Sequence, residues 1–117
     1  MLRKIRLEVA RCHDFPEGSA SHGYELTLPL TKEARLDHDD WLKHRGESRF
    51  RRFWGNEEEA TGRLGHSRGG WRLEFEDGSG EAEVIFKAET HRFLPGEYVS
   101  IKERDGVSRT FRIASVA

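Results

Sequence analysis

Apolar residues at every second position, in runs too short for a stable helix, constrain this chain more than any other feature. Ile5, Leu7 and Val9 alternate with Arg6, Glu8 and Ala10, and Tyr24, Leu26, Leu28 and Leu30 alternate with Glu25, Thr27 and Pro29. Trp71, Leu73 and Phe75 alternate with Arg72, Glu74 and Glu76, while Ala82, Val84 and Phe86 share one face of a run from Glu81 to Lys87. Successive side chains of a strand point to opposite faces, so this period of two marks half-buried strands. Charged residues make up 35% of the chain, as many as the hydrophobic ones, which suits strands that each keep one wet face.

The C-terminal stretch is the best defined. Pro95-Gly96 ends what precedes it, Glu97 to Glu103 reads as a strand, and Arg109 to Val116 returns as its partner. Asp105-Gly106 supplies the reversal, with Gly106 in the positive φ that a primed hairpin turn requires. Val99 and Ile101 share one face of the first arm, and Phe111 and Ile113 one face of the second. A further hairpin is expected from Ala60 to Glu76 around Ser67-Arg68-Gly69, and Asp77 to Gly80 forms another turn. Pro29 places the end of the second strand at a sheet edge, since proline donates no ladder hydrogen bond.

One helix is expected, from about His38 to Arg45. Asp37 is the N-cap, Asp40 completes a capping box, Leu36 and Trp41 form a hydrophobic staple, and Gly46 is the left-handed C-cap. At about two turns it would not stand alone, so it is expected to plug an open barrel end with Trp41 and Leu42. The resulting fold is all-β: a small, partly open barrel of about eight short strands with one short capping helix, forming a single domain over residues 1–117.

Several function classes lack their residues. The single cysteine, Cys12, forms no internal disulfide and fits a reducing compartment. No segment approaches the roughly 18 apolar residues of a spanning helix, and no secretory leader is evident, so a soluble cytoplasmic protein without membrane partners is expected. Cys12, His13, Asp14 and His22 have no metal-ligand spacing, no nucleophile elbow occurs, and the carboxylates lie on wet faces. No catalytic residue, metal or cofactor is therefore expected.

The basic strand Ser48 to Trp54 is the main binding candidate. Arg49, Arg51 and Arg52 interleave with Phe50, Phe53 and Trp54, a composition that single-stranded nucleic-acid binders use for phosphate contact and base stacking. Strict alternation puts Arg49 and Arg51 with Phe53, and Arg52 with Phe50 and Trp54, so both faces mix charge with aromatics. A bulge at Arg51-Arg52 would gather the aromatics on one side and the arginines on the other, and that is the arrangement expected. Charge is also segregated along the chain. Lys43 to Arg72 holds eight basic and four acidic residues, Leu73 to His91 one basic and six acidic, so paired strands would match opposite signs.

Three resemblances bear on function. Pro95-Gly96-Glu97-Tyr98-Val99 with Arg109-Thr110-Phe111-Arg112-Ile113-Ala114-Ser115 resembles the signature of the flavin-binding barrel of ferredoxin–NADP reductases. That resemblance implies Arg109 on the flavin phosphate and Phe111 against the ring, although Arg112 replaces a small hydroxyl residue. Arg45 and Arg49 followed by Asp77-Gly78-Ser79-Gly80 resemble the cyclic-di-GMP motif of PilZ domains, with the last glycine one position early. Over most of its length the chain is similar to a group of small bacterial proteins, a resemblance that carries no activity or ligand. The expectation is a non-catalytic binding or interaction module for a protein or small ligand, with Arg49, Arg51, Arg52, Trp54 and Arg109 as its contact residues. A nucleic-acid or nucleotide-binding barrel is the alternative, and a flavin-binding barrel the next.

Overall fold

A computed structural model describes residues Met1–Ala117 as eight antiparallel strands in a closed barrel. The strands are β1 (Leu2–Val9), β2 (Ser19–Pro29), β3 (Arg49–Trp54), β4 (Ala60–Ser67), β5 (Gly70–Phe75), β6 (Ala82–Ile85), β7 (Tyr98–Lys102) and β8 (Ser108–Val116). Each pairs with its neighbour in sequence, and β8 closes on β1 from Ile5↔Val116 to Val9↔Phe111. The barrel is thus closed all round rather than partly open. Closure removes sheet edges, which an eight-stranded meander would otherwise expose. Pro29 accordingly ends no edge strand. It lies beyond the last β2–β3 pair, Thr27↔Arg49, where its missing N–H costs no ladder bond.

The period-two residues fill the inside. Ile5, Leu7, Val9, Tyr24, Leu26, Leu28, Phe50, Leu64, Trp71, Leu73, Val99, Ile101, Phe111 and Ile113 all belong to one buried cluster. β1 bends through register shifts at Arg6/Leu7 and Glu8/Val9, and Gly23 faces the second of these. A Cβ on Gly23 would stand 1.9 Å from the Leu7 carbonyl oxygen, so only glycine lets β2 approach there.

Up-and-down connection sorts the loops into two ends. The β1–β2, β3–β4, β5–β6 and β7–β8 loops gather at one, the hairpin end. The β2–β3, β4–β5 and β6–β7 connections gather at the other, together with the helix α1 (His38–Lys43). Asp37 caps α1 as the sequence suggests, its Oδ1 accepting from the Asp40 amide at 3.1 Å. Asp40 does not complete a capping box; its carboxylate turns to His44 Nδ1 at 2.9 Å. The helix ends at His44 and runs into a 3₁₀ turn over Arg45–Glu47, so Gly46 is no left-handed cap. Trp41 closes this end: it is buried, donates from its indole nitrogen to the Leu64 carbonyl at 3.0 Å, and meets Trp71 edge-on at 5.4 Å. Leu42 does not join it. On so short a helix one residue faces the core, and Leu42 is exposed.

Two other local expectations change. The 103–107 reversal is not a primed turn, because Arg104 and Asp105 keep negative φ and only Gly106, at φ +86°, is left-handed. Gly106 donates to the Glu103 carbonyl at 2.8 Å and the Glu103 amide to the Val107 carbonyl at 2.9 Å. That is the three-residue loop in which a glycine bulge follows an ordinary turn. On β6 the outer face carries Ala82, Val84 and the exposed Phe86, while Glu83 and Ile85 point inward and are buried.

Candidate functional site at the hairpin end

Four strands carry their inward alternation one step past the last apolar residue, and each such step is charged or polar. Tyr24 precedes Leu26 and Leu28 on β2, and Arg52 follows Phe50 on β3. Glu103 follows Val99 and Ile101 after β7, and Arg109 precedes Phe111 and Ile113 on β8. With Glu83 from β6, they converge inside the hairpin end.

Their contacts form a closed set. Tyr24 Oη stands between Glu83 Oε1, within hydrogen-bond distance, and Glu103 Oε2 at 2.5 Å. Glu103 Oε2 also accepts from Arg52 Nε at 2.7 Å, and its Oε1 accepts from Arg109 Nη1 at 2.5 Å. Glu83 Oε2 accepts from the Arg104 backbone amide at 2.9 Å. The carboxylates are almost wholly enclosed, with Glu83 1% and Glu103 3% exposed, which makes unmatched charge there costly. Burial pushes the Glu83 carboxyl above its ordinary range, and burial and then the two carboxylates push the Tyr24 hydroxyl far up. Burial works against the charge of Arg52, yet Glu103 outweighs it and holds the guanidinium above its usual value.

Aromatic groups cover this set. Arg52 lies over the Trp54 ring at 4.1 Å and Arg109 over the same ring at 5.2 Å. Trp54 meets His22 edge-on at 4.8 Å, and Phe15 from the β1–β2 loop packs on His22 at 4.6 Å. Beside them, Arg104 lays its guanidinium 3.7 Å over the Phe75 ring and reaches Asp77 at 2.6 Å and Glu81 at 3.3 Å. The Arg104 guanidinium and the Ser79 amide hold the Asp77 carboxyl well below the usual range.

The five residues expected from sequence therefore divide. Arg52, Trp54 and Arg109 come together here, while Arg49 and Arg51 lie on the outer wall. β3 pairs without interruption with β2 and β4, so no bulge exists at Arg51-Arg52 and strict alternation holds. Arg49 meets both oxygens of Glu76 at 2.6 Å, and Arg51 meets Glu25 at 2.8 Å and also Glu59. Phe53 faces outward too, covered by the guanidinium groups of Arg6 at 4.4 Å and Arg51 at 5.3 Å. The two arginines thus shelter the β3 aromatic that alternation sends outside.

Phe111 is fully buried, 5.2 Å from Tyr24, so it has no face free for a flavin ring, while Arg109 meets Glu103 through Nη1. Arg45 stacks on Trp41 at the helix end, at 4.5 Å, whereas Asp77 to Gly80 turn at the hairpin end; the two halves of the PilZ-like pattern are separated by the barrel's length. Cys12 is exposed, and no group of three histidine, cysteine or carboxylate side chains is arranged around a common metal position. No helix is long and apolar enough to cross a membrane.

Fold and site together define an up-and-down eight-stranded barrel with a helix plug at one end and a buried ionic network at the other. No protein-family model, no curated protein and no solved structure matches the chain.

Proposed function

We propose that the protein is a binding module whose hairpin end takes a small anionic ligand, a carboxylate or phosphate carried on a planar body. One observation supports this most. Arg52 gives the protein only its Nε, and Arg109 only its Nη1, so the remaining guanidinium nitrogens hold donors that no protein group uses. Both forks are fixed in place by Glu103, and each is one-fifth exposed. Pre-oriented guanidinium groups bind carboxylate and phosphate through paired hydrogen bonds, and Trp54 adds a stacking surface. A non-catalytic role accords with the occupied state of both buried carboxylates, since a substrate would have to displace Tyr24, Arg52 or Arg109 to reach them. A reducing cytoplasm suits the single exposed thiol of Cys12.

The nucleic-acid reading draws on the β3 arginines Arg49, Arg51 and Arg52, of which the two on the outer wall already meet Glu76, Glu25 and Glu59. A phosphate backbone would have to compete with those carboxylates.

Melting the protein against inorganic phosphate, aromatic carboxylates, mononucleotides and a single-stranded oligonucleotide tests the assignment. A specific ligand at 100 times its Kd adds about 2.7 kcal/mol of stability. The expected result is a shift with an anion of this kind that disappears in Arg52→Lys and Trp54→Leu but survives Arg49→Glu with Arg51→Glu. No shift with any anion, or a shift abolished only by the outer-wall pair, would overturn it.

A further inference from the structure

We propose that Glu83 is a neutral carboxylic acid in the folded protein at neutral pH, and that its proton latches the hairpin end, which loosens when that proton is lost. The proposal stands whether or not an anion binds at Arg52 and Arg109.

Counting hydrogens leads to it. Three oxygens, Glu83 Oε1, Tyr24 Oη and Glu103 Oε2, sit in a row with two hydrogen-bond contacts between them. Two contacts need two hydrogens, and the Tyr24 hydroxyl carries one. A carboxyl must supply the other, because two buried carboxylates flanking one hydroxyl would leave one of them against a bare oxygen.

The surroundings decide which carboxyl it is. Glu103 faces Arg52 Nε at 2.7 Å and Arg109 Nη1 at 2.5 Å, two cations that select its ionised form. Glu83 meets no side-chain cation at hydrogen-bond distance; its second oxygen takes the neutral Arg104 amide. The Arg104 guanidinium turns away to Asp77 and Glu81, and Asp105 stands on Arg109 at 3.2 Å. Tyr24 from β2, Arg52 from β3, Glu103 and Arg104 after β7, and Arg109 from β8 complete the charged and titratable groups around Glu83. The order of donation is therefore Glu83 Oε1 to Tyr24 Oη, Tyr24 Oη to Glu103 Oε2, with both arginines on Glu103. The direction in which burial moves the Glu83 carboxyl agrees with this.

The latch follows from where these residues sit. Glu83 lies on the four-residue β6, whose pairing with β7 spans Val84↔Lys102 and Ile85↔Ile101, with one further bond from the Phe86 amide to the Ser100 carbonyl. Ionised, Glu83 would face the Tyr24 oxygen and the Glu103 carboxylate with one amide to hold it. The short β6–β7 seam is the part least able to resist that repulsion.

The direction of the pH effect is fixed. An unfolded glutamate releases its proton near pH 4.3, while folded Glu83 keeps its proton to higher pH. Between the two values the native state binds one more proton than the unfolded state. The site's stabilisation is complete below about pH 4.3 and is lost as pH rises toward the folded-state value.

Glu83→Gln imitates the acid: its amide nitrogen donates to Tyr24, and its carbonyl accepts from Arg104. Melts of wild type, Glu83→Gln and Glu103→Gln across the weakly acid to alkaline range test the proposal. Relative to Glu83→Gln, the wild-type ratio of folded to unfolded protein should fall by up to about tenfold per pH unit. At neutral pH, Glu83→Gln should melt at or above wild type, and Glu103→Gln well below it. Parallel pH profiles for wild type and Glu83→Gln, or a Glu83→Gln chain that does not fold, would overturn the proposal. So would loss of the pH dependence in Glu103→Gln instead, which would move the proton to the other carboxyl.

Discussion

The two ends of the barrel are closed by opposite means. At the helix end, Trp41 and Trp71 pack edge-on with His38 and His66 beside them, and a bond from the Trp41 indole to the Leu64 carbonyl orients the plug. At the hairpin end, five polar side chains are held by directed contacts centred on two buried carboxylates. Apolar packing is non-directional, so its loss scales with the area uncovered. A buried ionic network instead fails as a unit, because removing one member leaves its partners enclosed and unpaired. The same barrel therefore joins an end held by buried apolar area to one held by matched charge.

Substitutions at each end sharpen that contrast. The largest effect is expected from Trp41→Ala, which should cost about 3–5 kcal/mol by emptying the plug. Thermal melts should show that loss with little dependence on pH. Glu103→Gln should follow at about 2–3 kcal/mol, since Arg52 and Arg109 lose their counter-charge but keep partial access to water. If Glu103→Gln melts like the parent, the network does not hold the hairpin end.

Smaller changes probe the turns. Gly106→Val should cost about 1–3 kcal/mol, all of it from backbone strain at φ +86°, because a Cβ there would meet nothing within 4 Å. Asp37→Ala should cost about 1 kcal/mol through the lost cap at the opposite end. Chemical denaturation resolves both, and an unchanged midpoint for Asp37→Ala would mean that α1 is held by Trp41 alone.

Much of this architecture is legible in the chain. Period-two runs locate the strands, Asp37 marks the start of α1, and Gly106 marks the last reversal, because each signal depends on contacts a few residues apart. The interior of the hairpin end is not legible in the same way. Arg52 pairs with Glu103 51 positions later, and Tyr24 meets Glu83 59 positions on and Glu103 79 positions on, so nothing local announces those partners. Lacking them, an inward arginine invites a bulge that would turn it out, whereas the folded chain keeps Arg52 inside and supplies its carboxylate. β6 misleads for a different reason. In four residues, Ala82 and Val84 outvote Glu83 and Ile85 on hydrophobicity, yet the barrel buries the glutamate face. The usable signal was one of sign: carrying each strand's inward alternation one step further puts Arg52, Glu103 and Arg109 at one end, with charges that nearly cancel.

Direct titration of the carboxyls bears most closely on this account. With glutamate labelled by ¹³C at the side-chain carboxyl, and Glu83 assigned by its disappearance in Glu83→Gln, the chemical shift of each acid can be followed with pH. A network built on this proton requires Glu83 to keep the shift of a protonated acid through neutral pH. A Glu83 resonance that titrates near the ordinary value of about 4.3 would contradict it.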